Sequence, residues 1–200
     1  MSCIEYYVHS IMLATNSLSD SGTNYNKSNE TATVTFRIDK SVLDKIRREA
    51  TRHNVSLNSF LNQILKEFTE WDMFMPDAGS IPVAKPVVVQ MFQKLTKDEI
   101  QNLATKIGKN AIEDMVIFMK GSMDLDSFLK WLEVRMKNCS VDINHIVEKN
   151  KHTYIMKHEL GENWALYNKT MLETIFKELF EIPFDIRIHN DAILIFEIQK

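Results

Sequence analysis

The sequence predicts an α+β protein in two parts. A short strand–helix–helix unit that must dimerise is followed by a larger part in which a helical segment leads into a ββαββ antiparallel sheet. Three observations carry this reading. Thr31–Asp39, TATVTFRID, alternates cleanly, with Val34, Phe36 and Ile38 on one face and Thr33, Thr35 and Arg37 on the other. The segments after it repeat apolar residues at helical spacing, and no second strand pattern appears before residue 141. From there the pattern runs strand, strand, helix, strand, strand.

The bulk properties bound the classes. Two hundred residues with 44% hydrophobic and 26% charged content suit one or two ordinary globular domains. Cys3 and Cys139 are the two cysteines and form no CxxC spacing, which argues against a disulfide framework or a thiolate zinc site and fits a cytoplasmic protein. No apolar run is long enough to span a membrane, and MSCIEYYVHSIMLA lacks the basic start of a signal peptide. Net charge is −3, yet residues 31–57 carry six bases (Arg37, Lys40, Lys45, Arg47, Arg48, Arg52) against three acids (Asp39, Asp44, Glu49). The positive charge is thus concentrated on the first unit.

In chain order, residues 1–30 are expected to be a disordered arm, its second half TNSLSDSGTNYNKSNE having little to bury. Residues 31–74 form the strand–helix–helix unit, and residues 75–86, MPDAGSIPVAKP, hold three of the four prolines and read as a linker. Residues 87–200 form the α+β part. There Val87, Val88, Met91, Phe92 and Leu95 define one helical face behind Pro86, and Thr96–Glu99, TKDE, is a capping box. The helix it opens presents Ile100, Leu103, Ala104 and Ile107 and is predicted to stop at Gly108; a short apolar helix then runs to Gly121. Asp124 caps a helix with Leu125, Phe128, Leu129 and Leu132 inward. VDINHIVE and HTYIMKHEL form one hairpin, FDIRIH and AILIFEIQ another, around a helix with Trp164, Tyr167, Met171, Ile175 and Leu179 on one face.

The first unit cannot close a core alone. Val42, Leu43, Ile46 and Ala50 stripe its first helix, and Phe60, Leu61, Ile64, Leu65 and Phe68 stripe the second behind Ser56, a good N-cap. A unit of about 40 residues is near the size at which chains need a partner. A twofold dimer answers both needs: the two lone strands pair as an antiparallel ribbon over four helices. Val34, Phe36, Ile38, Leu43, Ile46, Phe60, Leu61, Ile64 and Leu65 would be the shared core.

The segments TVTFRIDKSVLDKI and NVSLNSFLNQIL resemble the ribbon-helix-helix family, the Arc and methionine-repressor (CopG-like) class of DNA-binding dimers, over residues 31–72. The resemblance implies a two-stranded ribbon in the major groove, with Thr33, Thr35 and Arg37 meeting base edges. It also implies a phosphate clamp at the start of the second helix, around Ser56, Leu57, Asn58 and Ser59, with Lys40 as a further phosphate contact. Many relatives carry glycine between the helices where this chain has Asn54, which tolerates the left-handed conformation the turn needs. Without the resemblance, Arg37 would be read as a solvated arginine, and the bases of the first helix as a solvated face with pairs such as Asp44–Arg48.

The second part offers no comparable chemistry. His152 and His158 share a strand face but lie about 20 Å apart, too far to hold one metal. His145 is on the other strand, and surface or core-edge positions are the plain reading of all three. No nucleophile triad, phosphate loop or carboxylate pair stands out, so neither an enzyme nor a cofactor or metal is expected. HTYIMKHELGENWALY resembles an uncharacterised domain attached to short DNA-binding segments in archaeal proteins. The expectation is a dimeric transcriptional regulator, a repressor by analogy. Its partners are double-stranded DNA and a second copy, with higher oligomers left open. Residues 87–200 would sense a small molecule or protein, or drive oligomerisation. The alternative is an antitoxin-like module whose C-terminal half masks a partner.

Overall fold

Caps and turns set the element boundaries. The computed structural model describes residues 31–35 and 37–199, with Ile107 and Gly108 described by backbone alone; the expected arm, residues 1–30, and Phe36 lie outside the described residues. Helices α1 (Lys40–Arg52) and α2 (Leu57–Glu70) are followed by a short 3₁₀ turn at Asp72–Phe74. Then come α3 (Lys85–Gln93), α4 (Lys97–Leu103), α5 (Lys109–Lys120) and α6 (Leu125–Asn138). Strands β1 (Asp142–Glu148) and β2 (Lys151–Lys157), α7 (Glu162–Ile175), β3 (Phe184–His189) and β4 (Ile193–Gln199) complete the chain. The described chain divides into two units, with the boundary between Asp44 and Lys45.

The ββαββ expectation holds. The sheet is antiparallel throughout, in the order β1-β2-β4-β3. Asn190 and Asp191, both at positive φ (51° and 53°), are the central residues of the three-residue turn between β3 and β4, closed by Ala192 N–H to the His189 carbonyl at 3.4 Å. Pairing puts Tyr154 and Met156 beside Leu194, Phe196 and Ile198, with Ile186 beyond, on one buried face. Phe176, just past α7, sits edge-on to Phe196 and to Phe128 of α6, at 4.7 and 5.7 Å between ring centroids, joining helices to sheet. Trp131 and Trp164 are core residues.

Local signals hold where they were strongest. The Thr96–Glu99 capping box is complete in both directions, and Asp124 caps α6 through the Ser127 N–H. Gly121, at φ +83°, ends α5. Two expectations are corrected. Gly108 does not stop the helix: a π-helical stretch, Ala104–Gly108, carries α4 straight into α5. The physical reason is phase. At 100° per residue Ile112 would lie about 80° from Ala104, and absorbing one extra residue reduces this to about 20°, between Ile100 and Ala104. The second concerns α3, where Val88, Val89 and Phe92 pack on the core while Val87 and Met91 stand 49% and 63% exposed.

The segment expected to be a linker begins tied down. Trp71, Phe74 and Met75 pack against the core, Phe74 edge-on to Phe118, and Ser80 N–H bonds the Met75 carbonyl. Among the described residues no helix is long and apolar enough to cross a membrane.

One buried histidine makes the core sensitive to acid. His158 is 4% exposed, its ring lies 4.7 Å from that of Trp164, and its Nδ1 accepts the Leu160 N–H at 3.3 Å. Burial, and then the positive charge of Lys85, which also pairs with Glu159, hold its pKa below the ordinary 6.5. The unfolded chain therefore takes up this proton first as pH falls. Stability is full above pH 6.5 and is lost as pH falls toward the depressed folded-state pKa. Thermal melts from neutral pH downward should show this loss, and His158→Gln should flatten it. An unchanged slope in the variant would reject the assignment.

Candidate nucleic-acid interface

The helical hairpin carrying the expected phosphate clamp is built from local rules. Asp39 accepts from the Ser41 N–H at 2.7 Å and from the Ser41 hydroxyl at 2.6 Å, closing the start of α1. These hydrogen bonds hold its carboxyl below the ordinary carboxylate range. At the other end, Asn54 sits at φ 55°. Its N–H reaches the Thr51 carbonyl at 3.1 Å and the Val55 N–H reaches the Ala50 carbonyl at 3.0 Å. That is a Schellman closure with Asn in the left-handed position, as the sequence expects. The connection is four residues long, His53–Ser56. Asn54→Ala should lower thermal stability by about 1 kcal/mol and Asn54→Gly should not, because only glycine escapes the left-handed penalty. Equal melting temperatures for the two variants would contradict this.

Ser56 caps α2: its Oγ accepts the Ser59 N–H at 3.0 Å and lies 2.8 Å from the Ser59 hydroxyl. The N–H groups of Leu57 and Asn58 belong to the first turn, which by geometry has no intrahelical acceptor. Together with the positive helix end, this is the arrangement that suits a phosphate oxygen. Ser56, Asn58 and Ser59 are exposed and Leu57 half-buried.

Thr33, Thr35, Arg37 and Lys40 are all exposed. Within one chain, Thr31–Thr35 and Arg37–Asp39 join no ladder. The expected shared core is largely uncovered: Val34 is 73% exposed, and Ile38 and Leu43 are half-buried. In the second unit Ile46, Phe60 and Leu61 are half-buried and Ile64 and Leu65 are 40% and 53% exposed. Phe68 adds 51%, and α2 has no buried residue at all, while α1 has only Ala50. Along α1, Lys45, Arg47, Arg48 and Arg52 are exposed, with Arg52 3.3 Å from Glu49.

No family model matches the chain, and no curated protein matches it. Among the described residues, no group of three or more His, Cys, Asp or Glu side chains could hold a metal ion. The reading of the histidines changes in one respect. The sequence weighs His152 against His158 on one strand, whereas pairing brings His152 to His145 across the hairpin. Strand registry, set by the two-residue turn, is the signal that could have found it.

Proposed function

We propose that this protein is a dimeric, sequence-specific DNA-binding regulator that places a two-stranded ribbon of residues 31–39 in the major groove. The observation that carries the reading is the apolar face of α2. Phe60, Leu61, Ile64, Leu65 and Phe68 line one side of a 14-residue helix on which no residue is buried. Burying one such side chain is worth about 1.5–3 kcal/mol, so leaving Ile64, Leu65 and Phe68 exposed and Phe60 and Leu61 only half-buried is a strong drive toward a second copy. The concentration of positive charge in residues 31–57 and the exposed Thr33, Thr35 and Arg37 support DNA as the ligand of that dimer. The capped start of α2 supports phosphate contacts.

The full chain should sediment as a dimer, and selected-site sequencing at stated salt should recover a pseudo-palindromic operator. A stable monomer would overturn the reading. A dimer recovering no motif would instead favour the antitoxin-like alternative. That alternative draws on the exposed apolar residues around α3 (Ile81 at 79%, Val83 at 46%, Val87 and Met91) as a surface for masking a partner protein.

A further inference from the structure

The β1–β2 hairpin carries a cluster that DNA binding does not use. His145 pairs with Tyr154, and Val147 with His152, so the two histidines stand diagonally on one sheet face. His145 Nε2 lies 2.9 Å from His152 Nδ1. The other nitrogen of the same ring, His145 Nδ1, faces Glu133 Oε1 on α6 at 3.4 Å. The His145 ring lies on Tyr154, with centroids 4.1 Å apart and planes 12° apart. The side chains of His145 and Glu133 are 29% and 34% exposed, which lets water and ions reach them.

We propose that His145 and His152 bind one divalent transition-metal ion, with Glu133 orienting His145 as a positioning residue. Three features point this way. A carboxylate on the far nitrogen of an imidazole is the usual support of a metal-ligating histidine, since it fixes the ring and raises its basicity. Imidazole pairs suit nickel, copper and zinc, and disfavour magnesium and calcium, which take oxygen ligands. Metal–nitrogen bonds of about 2.0–2.1 Å span nitrogens at the observed separation with an angle of about 90°. That angle matches neighbouring positions of a tetragonal or octahedral ion, hence copper or nickel over tetrahedral zinc. The 2.9 Å contact is a hydrogen bond holding one proton between the rings. The metal takes that proton's place, each ring turning about its soft terminal torsion to aim its lone pair. Water supplies the remaining ligands, because no third His, Cys, Asp or Glu joins the two among the described residues.

The test uses the full chain without a histidine tag, stripped with chelator and titrated calorimetrically with copper, nickel and zinc salts near neutral pH. The expected result is one ion per chain, in the affinity order copper, nickel, then zinc. His145→Ala and His152→Ala should each abolish saturable binding with circular dichroism unchanged. Glu133→Gln should weaken it by about 10–100-fold while the copper spectrum still reports two imidazoles. In wild type, electron paramagnetic resonance of the copper form should show coupling to two imidazole nitrogens. If either alanine variant unfolds, ring-nitrogen NMR of the wild type decides: zinc must shift His145 Nε2 and His152 Nδ1. Binding equal to that of the His145→Ala/His152→Ala double variant, a spectrum without two imidazoles, or unshifted ring nitrogens would overturn the site. The outcome is independent of whether the protein binds DNA.

Discussion

Full-length protein carrying Leu65→Glu is expected to sediment as a monomer with an unchanged melting profile for its sheet domain, and to lose DNA binding. Leu65 is 53% exposed in the single chain, so the substitution removes only limited packing from the chain itself. In a twofold dimer it removes two buried leucines, each worth about 1.5–3 kcal/mol. It also leaves two carboxylates in the interface, each costing several kcal/mol more when desolvated and unpaired. At about 1.4 kcal/mol per tenfold change, dissociation rises by several orders of magnitude. Analytical ultracentrifugation over a concentration series reads this directly. A Leu65→Glu protein that stays dimeric would place the interface elsewhere and remove the reason for pairing the strands.

Arg37→Ala should leave the dimer intact and erase operator selectivity. A bidentate arginine contact to guanine O6 and N7 is worth roughly 1–3 kcal/mol of discrimination, and a twofold dimer makes it twice. The control is Lys40→Ala. A lost phosphate contact weakens binding to all sequences about equally and shallows the salt dependence, without changing the selected motif. Selected-site sequencing of the two variants beside wild type separates these effects. Recovery of the same motif at unchanged affinity with Arg37→Ala would refute the groove-reading role.

The parts of the fold legible in the sequence are those set within a few residues. Thr96, Glu99 and Asp124 announce their caps because a side chain must reach a backbone N–H three positions away. Asn54 announces a left-handed turn because few side chains tolerate positive φ. The hairpins were readable from period-two alternation. What was not legible depends on neighbours distant in sequence. Gly108 is a reasonable stop by composition, but α5 must keep its apolar face on the same core as α4, and the π-helical stretch supplies that phase. Val87 and Val88 are chemically equivalent, and only packing decides that Val88 goes in while Val87 stays out.

By itself the sequence determined that α1 and α2 are amphipathic, that Thr31–Asp39 alternates, and that positive charge gathers on this segment; these are properties of order and composition alone. Only the tertiary structure decided that α2 buries no residue within its own chain. It alone showed that the short turn after β1 registers His152 beside His145, with Glu133 of α6 behind. The reason is common to both: burial and proximity are properties of what packs against a residue, and no local pattern encodes whether a neighbour arrives from the same chain, from a second copy, or not at all.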